Sequence, residues 1–343
     1  MSRIFSIGYG MIGETAEGIL TGVNAEMLFF IGFGFLVGIL FGFFGLGGSL
    51  FVTPALLVLG HPAEAAVGSG LVFVFGTSLV AAVTHRSAGH IDYKLGGLLV
   101  LGMAAGIEAG RRILFWLAKK GLADIVISIA YVVLLAVVGV IILRRVRNER
   151  LVDSVERRAP PVFEMYALSR LPPLIKLQSN VQVSVWLVFV VATVIGTLSG
   201  FLGVGGGFLM VPSLVYGLGI SKSVAVGTDI FQIAGSSAFG SVRYLQQGAV
   251  HFSVVLPLLG GSVFGSYIGS QLTDIVDESA LMSYFAVMLL LDSAAVASKT
   301  ISHTYDIRIL HDLSLTLLFG TALGVAALVV YRGGRAVYRD STG

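Results

Sequence analysis

Between Ala123 and Leu143 the chain reads ADIVISIAYVVLLAVVGVIIL, with one charge near its start and none afterwards. A helix needs about 20 apolar residues to cross the hydrocarbon core of a bilayer. In lipid every backbone N–H and C=O must be paired within the protein, so a run like this has to be a helix or part of a closed barrel. Barrel strands alternate apolar and polar residues, and this run does not alternate. Apolar segments recur at 27–44, 49–59, 64–84 and 95–115 before it, and at 183–201, 207–218, 222–243, 251–272, 280–298 and 311–331 after it. Only 12% of the residues are charged, against about 25% in a soluble domain. The expected fold is an all-α polytopic membrane protein. The absence of cysteine excludes disulfides, thiolate catalysis and cysteine-ligated metals. No basic patch interleaved with aromatics points to nucleic acid.

The two halves repeat. A shift of 158 residues lays Gly42, Gly45, Gly47, Gly48 and Pro54 on Gly200, Gly203, Gly205, Gly206 and Pro212; a shift of 159 carries the match from Gly60 through Gly110. Eleven of the 14 glycines between 42 and 110 meet a glycine, where a composition of 45 in 343 gives about two by chance. The division that follows is a lead-in at 1–26, a first membrane repeat at 27–143, a basic cytoplasmic linker at 144–182, a second repeat at 183–299 and an extra helix at 311–331. The opening residues lack the long apolar core of a cleaved signal. If every segment crosses, five crossings separate each element from its copy, so the repeats are inverted. The N-terminus is then outside and the C-terminus cytoplasmic, with 14 of the 22 Lys and Arg inside. Re-entrant short segments would give parallel repeats instead.

Two kinds of glycine are present. Gly34/Gly38/Gly42, Gly102/Gly106/Gly110 and Gly261/Gly265/Gly269 recur every four residues, the spacing at which small residues let membrane helices touch. The clusters at 45–48 and 203–207 are denser than packing requires. They read as breaks that unwind a helix and leave N–H groups unpaired at the start of the short segment that follows. A helix N-terminus receives anions without a side-chain cation. Paired broken helices across a repeat are how many secondary transporters form their site.

These motifs, GFFGLGGSLFVTPAL at 42–56 and GFLGVGGGFLMVPSL at 200–214, each leading into AVGS or AVGT, resemble the TauE/SafE family of sulfite exporters over residues 25–300. The resemblance implies a multi-pass permease of the cell membrane, an exporter of small anions such as sulfite, thiosulfate or sulfoacetate. No cofactor is expected.

The residues expected to bind substrate are Gly45, Gly47, Gly48, Ser49, Thr77 and Ser78 in the first half. In the second half they are Gly203, Gly205, Gly206, Gly207, Gln232, Ser236 and Ser237. Asp229, Gln232 and Ser236 fall on one face of a helix. Neutral donors suit an oxyanion, and Asp229 is a candidate for proton coupling, since an acid in mid-membrane must face a cavity or be neutral. Glu108 and Asp292 read as helix-to-helix hydrogen-bonding groups. Arg86 and Arg243 end the helices after the breaks, where cations commonly snorkel. An uncoupled anion channel and an intramembrane enzyme built on an Asp229–Asp292 pair are the alternatives to a carrier.

Overall fold

A computed structural model describes residues 24–44, 49–84, 91–151, 172–176, 182–273, 275–276, 278–305 and 307–340. The chain is all-α. In the first half α1 spans Ala25–Phe44, α2 Ser49–Val58, α3 Ala63–Thr84, α4 Tyr93–Lys119 and α5 Ala123–Leu151. In the second half α6 spans Val185–Leu202, α7 Gly207–Pro212, α8 Lys222–Leu245, α9 Phe252–Thr273 and α10 Glu278–Tyr305, and α11 follows at Arg308–Asp340. Pro212 lacks an N–H and closes α7, which runs on as a π-helical turn over Ser213–Gly217. Strands β1 (Leu174–Lys176) and β2 (Gln182–Ser184) pair antiparallel just before α6, a feature with no periodic signal in so short a stretch. The last helix extends well beyond the expected 311–331.

Seven described helices are long and apolar enough to cross a membrane on their own. α4 and α8 are equally long but more polar: α4 carries Glu108, Arg111 and Arg112, and α8 carries Asp229, Gln232, Ser236, Ser237 and Arg243. Arg111, Asp229, Gln232, Ser236 and Ser237 turn inward, where neighbouring helices cover them, while Arg112 stays exposed. The short helices α2 and α7 rise only about 15 Å and 9 Å at 1.5 Å per residue, too little to span alone.

The four-residue glycine stripes are the main seams. α1 packs along α9, and α4 along α6. A Cβ on Gly38 would collide with the Ser262 backbone, and one on Gly42 with that of Ser266. The copies of these glycines, Gly196 and Gly200, press on Met103 and Ile107, which are the copies of Ser262 and Ser266. Gly106 meets Thr193 and Thr197 while Gly265 meets Phe35 and Ile39, again in register; Gly76 meets Leu259 while Gly235 meets Val100. The duplication read from spacing thus recurs as a duplicated set of contacts, each joining one half to the other.

The contacts also fix direction. Along the α1–α9 and α4–α6 seams residue numbers rise together, so each pair is parallel. Between α3 and α8 they run oppositely, with Gly68 against Tyr244 and Leu71 against Gly240. The same holds for α5 and α10, where Ser293 donates to the Val132 carbonyl at 2.8 Å while Gly139 lies against Ala286 and Leu290. One end of the bundle gathers several helix starts. The Ala63 N–H donates to Asp124 at 2.7 Å, and the rings of His61 and His251 are 5.3 Å apart. Burial and His251 lower the pKa of His61, against a smaller raising effect from Glu26.

Candidate functional site: the second glycine break

α6 stops at Leu202 because the next residues leave helical space. Gly203, Gly205 and Gly206 have φ of 76°, 73° and 83°, the left-handed region that side chains avoid. The Gly203 N–H still closes the helix on Ser199 O at 2.7 Å. α7 then begins, with Leu209 N and Met210 N donating to Gly206 O at 3.1 and 3.0 Å. Between these two anchors the N–H groups of Gly205, Gly206, Gly207 and Phe208 carry no hydrogen bond to any described residue. Such unpaired donors are what an unwound helix start offers.

The break is held from several sides. A Cβ on Gly205 would lie 2.6 Å from Val74 of α3, and one on Gly206 would lie 2.8 Å from Met103 of α4. One on Gly203 would lie 2.8 Å from the Val67 carbonyl oxygen and 3.0 Å from Thr53 Oγ1. Two buried tyrosines brace the end of α6: Tyr131 donates to Leu202 O, and Tyr244 donates to Gly200 O. Neither was among the expected residues. A phenol within an apolar run gives no sign of which carbonyl it will meet. Beside Gly206 an apolar hollow of about 10 Å³ lies among Leu134, Ile195 and Leu209, too small for a substrate.

Asp229 faces the start of α7. A Cβ on Gly207 would lie 3.0 Å from Asp229 Oδ2, and the side chain is buried. With the Gln232 amide nitrogen turned toward it, Gln232 donates to Asp229 Oδ1 at 3.1 Å and accepts from Ser236 Oγ at 2.8 Å. The expected polar face of α8 is therefore a linked row, Asp229–Gln232–Ser236, ending at the glycine break.

Other expected residues lie apart from this row. Ser237 donates to Ile233 O in its own helix. Thr77 donates to Phe73 O or Val74 O at 3.0 and 3.1 Å, and Ser78 to Phe75 O at 2.8 Å. They sit one turn beyond Val74, which packs on Gly205. Ser49 opens α2. Gly45, Gly47 and Gly48, with His85 and Arg86, lie outside the described residues. Thr228 Oγ1 accepts from the Asp92 N–H at 3.1 Å, and its copy Ser69 accepts from the His251 N–H, also at 3.1 Å. This pair ties the start of α4 to α8 and the start of α9 to α3.

Glu108 and Asp292 make the helix-to-helix bonds expected of them. Glu108 accepts from Arg243 of α8 at 2.9 and 3.1 Å. Asp292 Oδ1 accepts from Thr321 of α11 at 2.8 Å. Asp292 is thus committed to α10–α11 and Asp229 to α7–α8.

The family model described as sulfite exporter TauE/SafE matches residues 30–296. Three relatives illustrate the similarity. The probable membrane transporter protein YunE of Bacillus subtilis (strain 168) is 24% identical over 266 residues, covering 75% of this chain and 92% of the relative. The probable membrane transporter protein YdhB of the same organism is 27% identical over 255 residues, covering 73% and 91%. A probable membrane transporter protein of Xylella fastidiosa (strain Temecula1 / ATCC 700964) is 26% identical over 245 residues, covering 71% and 83%. No solved structure matches. The names describe membrane transporters, not enzymes.

Proposed function

The chain belongs to the sulfite exporter TauE/SafE family, and from that premise we propose that it is a gradient-driven carrier of small sulfur-containing anions. Its class, a multi-pass membrane transporter of a small molecule, follows from the family and the helices. Membership of a sulfite exporter family supports sulfite, or a related anion such as thiosulfate or sulfoacetate, as cargo. The observation that carries the site is the set of N–H groups from Gly205 to Phe208, without a hydrogen-bond partner among the described residues, beside Asp229. An oxyanion there accepts from those N–H groups and from the second Gln232 amide hydrogen, with Ser236 orienting Gln232. Gly203 and Gly206 give the backbone its left-handed turns, and Ser237 extends the polar row. Gly45, Gly47, Gly48 and Ser49, with Thr77 and Ser78, supply the equivalent half-site by the internal repeat.

Alternating access in this reading is a rocking of one inverted repeat against the other. The opposed directions of α3 and α8, and of α5 and α10, support the inversion. The N-terminus is outside and the C-terminus cytoplasmic in the inner membrane, and the carrier acts as an exporter.

Asp229 couples the cycle to protons. Two negative charges about 4 Å apart repel by about 4 kcal/mol at an effective dielectric constant near 20. An ionised Asp229 therefore competes with the anion for the same helix end, and a neutral one yields it. Anion and proton then bind together, so export runs where the outward anion gradient exceeds the inward proton gradient.

Counterflow in proteoliposomes tests this. Vesicles are loaded with sulfite, thiosulfate, sulfoacetate or acetate, and uptake of the same labelled anion is followed with and without a pH gradient. Saturable exchange of a sulfur anion is expected, lost in Gly205→Leu. In Asp229→Asn, exchange persists without its response to the pH gradient. Conductance without counterflow makes the protein a channel and removes the carrier reading.

A further inference from the structure

Glu108 is surrounded by three arginines. Its Oε1 accepts from Arg111 Nη2 at 2.7 Å, from Arg112 Nε at 2.8 Å and from Arg243 Nη2 at 3.1 Å. Its Oε2 accepts from Arg111 Nε at 3.0 Å and from Arg243 Nε at 2.9 Å. Arg111 and Arg112 share α4 with Glu108; Arg243 arrives from the last turn of α8. The bidentate pair with Arg243 therefore ties the first half to the second. It lies at the end of the bundle where α8 finishes and α9 begins, the end marked by His61 and His251. The opposite end has nothing comparable at the repeated positions. The copies of Glu108, Arg111, Arg112 and Arg243 are Tyr267, Ser270, Gln271 and Thr84, all uncharged.

We propose that Glu108 and Arg243 form an ionic latch that holds one mouth of the carrier shut. This rests on the reading of the protein as an alternating-access carrier. Rocking the repeats apart at the His61 end must separate α4 from α8 and break a two-point, charge-assisted contact. Opening the other end breaks no ion pair at the equivalent positions. The two mouths are then energetically unequal, although the helices around them are copies. The carrier rests closed at the His61 end. Arg111 and Arg112 keep Glu108 compensated when Arg243 leaves, so the latch can open without stranding a lone carboxylate.

The natural absence of cysteine allows a direct test. Leu71 is fully buried where α3 meets Gly240 of α8, and its copy is Ile230. Leu71→Cys reports on the latched half and Ile230→Cys on the other. Each is labelled with a membrane-impermeant maleimide in nanodiscs, where both faces meet the reagent. Leu71→Cys labels slowly alone and about tenfold faster with Arg243→Gln, as the open population rises. Arg112→Gln leaves the rate within about twofold, because it does not touch α8. Arg243→Gln leaves Glu108 with two partners on its own helix, so this variant retains its fold where Glu108→Gln does not. Unchanged labelling in monodisperse Arg243→Gln overturns the latch. An equal rise in Arg112→Gln also overturns it, by showing general loosening. Labelling needs no transported anion: a latch response in a protein that exchanges no anion leaves the latch standing and removes the carrier reading, and the converse result does the opposite.

Discussion

Gly205→Ala isolates how tightly the break is built. At φ 73° an alanine bears a left-handed strain of about 1–2 kcal/mol. Its methyl would also lie 2.6 Å from Val74 Cγ1 and 3.3 Å from Cγ2. Val74 is buried and branched at Cβ, so it has few rotamers to retreat to. Overpacking of this kind adds about 1–3 kcal/mol, for a total of about 2–5 kcal/mol. Gly219→Ala is the reference, since Gly219 has φ 68° but no atom within 4 Å of a Cβ; it measures strain alone, at about 1–2 kcal/mol. Unfolding by SDS titration in mixed micelles gives each free energy. The double variant Gly205→Ala/Val74→Ala removes the overlap and leaves the strain. The cycle of Gly205→Ala and Val74→Ala therefore yields a coupling of about 1–3 kcal/mol, the double variant being more stable than the sum of its parts. Strict additivity, or equal costs at Gly205 and Gly219, would refute close contact between the break and α3.

Three further outcomes are expected. Asp292→Asn keeps the bond from Thr321 and stays within about 1 kcal/mol of the parent, while Asp292→Ala loses about 1–3 kcal/mol with the α10–α11 bond, Thr321 falling back on Leu318 O of its own helix; the same SDS titration separates them. Tyr131→Phe deprives the Leu202 carbonyl of its donor, lowers stability by about 1–2 kcal/mol and slows counterflow. For His61 the folded pKa lies below the ordinary 6.5, chiefly through burial and then His251. Its contribution is complete above pH 6.5 and is lost as pH falls from there through the folded value, because the unfolded chain takes up the proton first; His61→Asn flattens that slope in melting curves taken between pH 5 and 8.

Much of the fold was legible because membrane packing is written in small residues. The spacing of Gly102, Gly106 and Gly110 identified a seam, and its copy at Gly261, Gly265 and Gly269 identified a second. What spacing does not give is the partner: nothing in the sequence says that α1 chooses α9 over its neighbours. Within the site, the helical period put Asp229, Gln232 and Ser236 on one face, and they form one row. Hydroxyls were harder to read. Thr228 serves the Asp92 N–H, and Thr77 and Ser78 turn back on their own helix, a choice made by whichever carbonyl is within reach. Tyr131, Tyr244 and the third arginine on Glu108 depend on tertiary approach alone.

The long seam between α1 and α9 sets a timetable for biosynthesis. Gly34 meets Leu258 and Gly42 meets Ser266, so the first described helix touches one of the last. At about 5–20 residues per second, α1 waits roughly 10–45 s in lipid with its glycine stripe bare. α4 reaches α6 much sooner. The first half is therefore inserted before it is finished, and it completes its fold only when the second half threads a helix alongside α1. A chain cut in the linker should reassemble when both pieces are made together, and neither piece should be stable by itself.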